Sequence, residues 1–380
     1  MRKRLMFALL CVLPVVSCFM PNDGMSDRDA DSDGIPDRLE AEGESYLGFP
    51  VFELGARTAQ TDIFLYVEYV APNSSVELSR SDFQFAVDFY KEQGLHLHFD
   101  FGDLFHRQAG ISVSDLDHSD SLHYVDDHTS GDLSSSEIAR LYAGGKYREE
   151  DRDGLYHYAL FHDGLGGSSE GGFASLDTPG IFMRAVNPET TLFRSSLVHE
   201  LGHMLGLGHG GGYHPDVVDP NANFKPNYLS IMNYMYMSGD IPRDAWEFRY
   251  MYYYWQYRYR QNDPDSSLSD QFYSYISDEE GALDQPESMV DSHNYAFSSG
   301  DGLPLDESDL DETQGLPGYF DCEIDWNGNG VIERSVEFDI NRDERISVLY
   351  DYDDSMYLRS YFVSDYYLEP SRFSENPNEE

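Results

Sequence analysis

His199-Glu200-Leu201-Gly202-His203-Met204-Leu205-Gly206-Leu207-Gly208-His209 is the stretch on which the reading of this chain turns. It closes a segment, 191–207, whose pattern predicts the strongest helix of the sequence. On a helix His199 and His203 stand four apart, so both imidazoles leave from one face and can hold a single metal ion. Gly206 lets the helix end in a backbone turn that a side chain would hinder. The turn brings His209 round as a third ligand and leaves a fourth position open to water. Three nitrogen ligands and one open position suit zinc, which lowers the pKa of water to about 7. Glu200, beside the first ligand but not itself a ligand, is placed to take the proton as general base. Peptide hydrolysis is the chemistry this arrangement serves.

Upstream, Ile63, Leu65, Val67 and Tyr69 alternate through 61–70 as in a strand. A helix is predicted over 81–93, capped by Ser81 and stopped by Gly94, and a second strand over 95–99. Strand, helix, strand is the opening of an α+β or α/β domain. A short helix near 134–141 and a strand over 156–161 follow, then a glycine-rich loop at 164–172. Downstream, Trp246 to Tyr259 holds six tyrosines and two tryptophans. It reads as an element packed on the core or as a platform for substrate or glycan.

The 380 residues carry 70 acids against 25 Lys and Arg, for a formal charge of −45, which excludes nucleic acid as a partner and disfavours anionic membrane surfaces. Three cysteines, at 11, 18 and 322, are too few for a disulfide framework. Arg2, Lys3 and Arg4 precede an apolar run, 5–16, too short to span a bilayer, which is the layout of an export signal. It ends in Val15-Val16-Ser17-Cys18, which resembles a bacterial lipobox and implies a lipid anchor on Cys18, with plain secretion or an uncleaved anchor as the alternatives. All three place the mature chain outside the cytoplasm.

Asp29, Asp31, Asp33, Gly34, Ile35, Asp37 and Glu40 fall on positions 1, 3, 5, 6, 7, 9 and 12 of a calcium loop, Ile35 through its carbonyl. The plainer reading is a solvated acidic tether. Asp325, Asn327 and Asn329, and again Asp339, Asn341 and Asp343, begin two less regular loops of the same kind. Their nearest closing acids, Glu337 and Asp351, each come one position late. They read as calcium sites or as Asx-turn scaffolds.

The eleven residues from His199 match HExxHxxGxxH at every fixed position, and Ser230-Ile231-Met232-Asn233-Tyr234 follows with Met232 standing 23 residues after His209. In both features the chain resembles the metzincin clan of zinc metalloproteases. The resemblance implies that Met232 forms an apolar floor under the histidines and that Tyr234 hydrogen-bonds the tetrahedral intermediate. It implies an α+β fold with a twisted mixed β-sheet, an active-site helix and an irregular C-terminal subdomain. It also extends to Lys225-Pro226-Asn227-Tyr228-Leu229 and covers roughly 60–360. Gly210 stands where many subfamilies carry a diagnostic residue, and no propeptide cysteine is present to cap the zinc.

The expected organisation is an export signal (1–17), an acidic tether with a calcium-type loop (18–57), the zinc protease core (58–240), a Tyr-rich insertion and linker (241–297), an acidic C-terminal part (298–365) and a tail (366–380). Segment 171–176 is expected as the edge strand that pairs with an extended peptide substrate. The expected cofactors are Zn2+ and Ca2+. The rival readings are a non-catalytic calcium-dependent adhesion or binding protein that keeps zinc for structure, and a zinc hydrolase acting on something other than peptide.

Overall fold

The computed structural model describes residues 28–70, 80–101, 155–162, 172–174, 180–184, 190–239, 241–260 and 294–358. The expected export signal, Cys18 and the short helix predicted near 134–141 lie outside the described residues. Strand β1 (Thr61–Val70), helix α1 (Arg80–Glu92) and strand β2 (Leu95–Asp100) form the predicted opening unit. Gly94 ends the helix at a φ of +81°, where a side chain would strain the backbone. β2 returns parallel to β1, with Thr61 opposite Leu95. On the other side of β1 runs β3 (Tyr156–His162), also parallel, followed by parallel β5 (Gly180–Arg184) and antiparallel β4 (Gly172–Ala174). The order is β2-β1-β3-β5-β4. This is a mixed α and β architecture with a largely parallel sheet and few helices, compatible with the expected α+β class.

The alternation in β1 serves two buried faces. Ile63, Leu65 and Val67 pack with α1 and with helix α2 (Thr190–Met204), while Phe64 and Tyr66 face the other way, against Ile35, Val51, Leu54 and Ala56. Residues 28–57, expected as tether, therefore form a layer over the second face of the sheet. The physical reason is that strands in a parallel sheet are apolar on both sides and need cover on both. At about 25 cal/mol per Å² of apolar surface buried, covering Phe64, Tyr66, Tyr156 and Tyr158 is a strong driving force.

On the helical side Phe83 is fully buried and sits edge-on to Phe99, Phe101 and Phe161 at 5.2, 4.8 and 5.3 Å. Truncating such a side chain to alanine costs about 3–5 kcal/mol. α2 is tied to α1 by Arg194 Nε to Asp82 Oδ1 at 2.9 Å and by the Tyr90 hydroxyl, which donates to the Val198 carbonyl at 2.7 Å. These contacts fix the helix that carries the histidines against the sheet.

Beyond α2 regular structure thins out. β6 (Leu207–Gly208) and β7 (Gly211–Gly212) make a small hairpin, and the Tyr-rich stretch is helix α3 (Ala245–Arg260). Phe248, Tyr252 and Tyr253 of α3 pack with Ile324, Trp326 and Ile340 in a core separate from the sheet. That is the packed-element reading of the stretch. Among the described residues no helix is long and apolar enough to cross a membrane.

Candidate metal centre

His199 and His203 project from one face of α2, which ends as expected: Gly206 has a φ of +102° and its amide donates to the His203 carbonyl at 3.1 Å. The β6–β7 hairpin then carries His209 back toward the helix. His203 Nε2 lies 3.0 Å from His199 Nε2 and 3.1 Å from His209 Nε2. The opposite nitrogens show why this is a metal-shaped arrangement. His199 Nδ1 is 2.9 Å from the Ile231 carbonyl and His203 Nδ1 is 2.7 Å from the Leu207 carbonyl. A carbonyl only accepts, so each Nδ1 carries the hydrogen and the neutral ring turns a bare Nε2 lone pair toward its neighbours. Lone pairs facing one another repel unless a cation stands between them. Tetrahedral zinc with 2.0–2.1 Å bonds would hold its nitrogens about 3.3 Å apart, close to what is found.

The three rings are held neutral by their surroundings. Burial pushes His203 down to about 4 and His209, with the His203 ring adding to it, down to about 3; burial and the two neighbouring imidazoles push His199 well below its usual value. At neutral pH all three are therefore ligands in waiting rather than cations. Glu200 is buried beside them. Tyr234 is exposed, its ring 4.2 Å from that of His209 and 5.4 Å from that of His199.

Met232 is fully buried under α2: a methyl placed on Gly202 would meet its sulfur at 2.4 Å. Gly172, on edge strand β4, stands equally close to Glu200, where a methyl would meet Oε1 at 2.7 Å. Sequence reasoning missed both glycines. A signal existed for Gly202, because glycine inside a helix costs about 1 kcal/mol relative to alanine and needs a packing reason. Asn223 was missed as well; its Oδ1 accepts from the amides of Phe224 and Tyr234 at 2.8 and 2.9 Å and holds the exposed tyrosine in place.

The loop that carries Met232 is locked from far along the chain. Asp354, wholly buried, accepts from the Tyr228 hydroxyl, the Ser230 hydroxyl and the Ser298 amide, and Ser230 Oγ in turn accepts from the Met232 amide at 3.1 Å. Burial pushes the Asp354 carboxyl up to about 7. Lys225, also buried and lowered by that burial to about 7, donates to the carbonyls of Gly210 and Tyr350, both at 2.6 Å. It thus braces the residue that follows His209.

The acidic loops share one backbone form. The fourth and sixth residues have positive φ in each: Ser32 and Gly34, Gly328 and Gly330, Arg342 and Glu344. Each first aspartate accepts from the amide of its loop's sixth residue, at 3.0, 2.6 and 2.9 Å. The acids expected to close the C-terminal loops stand apart from the loops' own hydrogen bonds. Glu337 is exposed, and Asp351 is taken by Ser298, Tyr319 and Gly302. Two fully buried glutamates from upstream instead hold the backbone of these loops: Glu312 accepts from the amides of Trp326 and Glu333, and Glu307 from those of Ile340 and Ser347. These are the second and ninth residues of each loop, a repeat carried in the tertiary structure. In the loop from Asp29, ligand oxygens of Asp29, Asp31 and Asp33 lie within 4.8 Å of one another, and so do those of Asp33, Glu40 and Asp62. Asp37 is in neither group; it accepts from the Ala30 amide at 2.8 Å and lies 3.3 Å from Arg28 Nε. Burial first, and then the neighbouring acids, raise Asp33 to about 7 and Glu40 to about 8.

No family model matches the chain, and no curated protein matches it. Among solved structures, one titled as a chaperone-substrate complex is similar over 41% of this chain and 25% of its own, at 13% identity and a TM-score of 0.28. The chain thus spans a quarter of that relative's length, and a likeness so slight carries no argument about fold or function.

Proposed function

We propose that the protein is an extracytoplasmic zinc endopeptidase of metzincin type, exported by its N-terminal signal and tethered through a lipid on Cys18. The observation that carries this reading is the convergence of three imidazoles, His203 Nε2 lying 3.0 Å from His199 Nε2 and 3.1 Å from His209 Nε2, with Glu200 buried next to His199 and Met232 beneath. His199, His203 and His209 would hold the zinc. Zinc bound there supplies Lewis acidity, lowering the pKa of a water to about 7 and polarising the scissile carbonyl. Glu200 takes the proton and passes it to the leaving amine. Tyr234, exposed at the rim, donates to the oxygen on which charge develops. Strand β4 is the edge of the sheet and meets Glu200 at Gly172, so an extended peptide added alongside β4 would run past the base. The substrate is therefore read as protein or peptide, and the Asp29 loop as a calcium site that contributes stability rather than chemistry.

Glu200→Gln is the decisive variant. It should keep about one zinc per chain and lose at least ~100-fold in rate on denatured casein and a quenched peptide library. Chelation should abolish hydrolysis by the parent. An active variant would overturn the mechanism, and a zinc-free one would make Glu200 a ligand. A chain that binds zinc and calcium but cuts nothing would favour the adhesion reading. Three histidine ligands already weigh against that reading, since structural zinc takes four protein ligands.

A further inference from the structure

The second concentration of unexplained chemistry lies away from the histidines, where the layer formed by residues 28–57 meets β1. We infer that Asp31, Asp33, Glu40 and Asp62 bind one calcium ion, and that this ion clamps the N-terminal layer to the central strand of the sheet. The inference rests on the calcium reading of the Asp29 loop but not on hydrolysis. Asp62 is new to that site: it lies outside the twelve-residue loop, as the second residue of β1.

Glu40 carries the argument. It is 2% exposed, its two carboxylate oxygens have no hydrogen-bond partner, and one of them lies within 4.8 Å of ligand oxygens from both Asp33 and Asp62. The oxygens of Asp31 are likewise buried without a partner. Buried carboxylates are normally paired or ligate metals, because an uncompensated charge in the interior is costly. Three acids turned toward one another repel unless protons or a cation separate them.

The rest of the site is built as a ligand shell is built. Ser32 and Gly34, with φ of 62° and 87°, wrap the loop, and Asp29 pins that wrap by accepting from both of their amides. Asp33 accepts from the Ile35 amide at 2.8 Å and, across to β1, from the Asp62 amide at 2.9 Å. Asp62 is oriented by the Arg57 amide at 2.8 Å and by His98 Nε2 at 2.6 Å. Partners of this kind hold ligating carboxylates at the angle a metal requires. Asp37, the ninth residue of the loop, faces Ala30 and Arg28, and Asp62 fills the place in the cluster that Asp37 leaves. An all-oxygen donor set selects a hard cation, and four carboxylates converging on one ion suit calcium better than magnesium, which keeps several waters and takes one or two carboxylates.

The test uses the exported chain in the Glu200→Gln background, zinc-loaded, so that self-cleavage plays no part. Calcium binding is followed by titration calorimetry and unfolding by scanning calorimetry, with the chelated protein as reference. The parent should bind with a Kd of roughly 10⁻⁴ to 10⁻³ M and melt several degrees higher at 10 mM calcium. Asp62→Asn should weaken binding at this site at least ~10-fold, whereas Asp37→Asn should bind as the parent does. Glu40→Gln, isosteric and without the buried charge, should melt no lower than the parent in chelator and should lose the calcium shift. Parent affinity in Asp62→Asn, or loss of binding in Asp37→Asn instead, would return the site to the loop alone and overturn the clamp. Equal destabilisation by Glu40→Gln with and without calcium would make the carboxyl a structural group, and so would a parent that does not respond to calcium. None of these readouts depends on peptide hydrolysis, so failure here leaves the zinc reading standing, and failure there leaves the clamp standing.

Discussion

Gly172→Ala separates the placement of Glu200, the proposed general base, from every other property of the site. The glycine is on edge strand β4 with no positive φ, so the backbone accepts alanine without strain. The added methyl would lie 2.7 Å from Glu200 Oε1, 2.8 Å from its Cγ and 2.9 Å from its carboxyl carbon. Non-bonded carbon contacts settle at about 3.5–4.0 Å, so the carboxylate must retreat by roughly 0.6 Å or more. Displacements approaching 1 Å in a reacting group cost up to about 100-fold, so kcat should fall ~10–100-fold, or about 1.4–2.7 kcal/mol of barrier. Stability should change little, because the about 0.5–1 kcal/mol gained by replacing a strand glycine offsets part of the about 1–3 kcal/mol of overpacking against buried Glu200. The variant should therefore stay folded and keep its zinc, while turnover of a quenched peptide collapses. Added to Glu200→Gln, the same change should subtract little more, since the base it displaces is already absent. An unchanged kcat would refute the argument, and loss of zinc together with activity would mean that the methyl disturbs the ligands instead.

Gly202→Ala is its counterpart below the metal: a methyl 2.4 Å from the Met232 sulfur overpacks a closed space, which costs about 1–3 kcal/mol against about 1 kcal/mol gained in helix propensity. Zinc affinity should drop, and adding Met232→Ala should recover part of it, as competition with a chromophoric chelator would report. Tyr234→Phe should lower kcat with little change in KM if the hydroxyl acts only as charge develops; equal values would make it a packing residue. Stability should also depend on pH through the buried pair behind Met232. Asp354, raised to about 7, holds a proton that the unfolded chain releases near 4, so stability falls as pH rises from about 4 to 7. Lys225, lowered to about 7, releases a proton that the unfolded chain keeps to about 10, so stability rises again above 7. Asp33, Glu40 and the metal-free histidines titrate in the same range, so the readout is a difference between proteins loaded with zinc and calcium: subtracting the urea melts of Asp354→Asn from those of the parent should leave a contribution that falls between about pH 4 and 7.

What could be read from the linear chain is what depends on neighbours a few residues apart. The four-residue spacing of His199 and His203, the end of α2 at Gly206 and the wrap of the loop from Asp29 are local, and each stands in the structure where its spacing put it. β1, α1, β2 and β3 were legible for the same reason, since a period of two or of 3.6 is written in consecutive residues. Met232 was legible only through resemblance. Its contact with Gly202 spans 30 residues, and no periodicity announces it.

Tertiary structure decided the rest, because the partners come from distant segments whose register nothing local encodes. Residues 28–57 read as a tether on composition, yet they cover Phe64 and Tyr66, a second apolar face that an alternating pattern conceals when both faces are buried. Glu307 and Glu312, which no spacing marked, reach the backbone amides of the two C-terminal loops from upstream, because buried amides folded into each loop need an acceptor from wherever the chain can supply one. Asp354 secures the Met232 loop across more than a hundred residues. Asp62 shows the division within one residue. In sequence it is only the second position of a strand, with nothing that ties it to the loop from Asp29, and only the docking of the N-terminal layer, driven by apolar burial, brings its carboxylate beside Asp33 and Glu40.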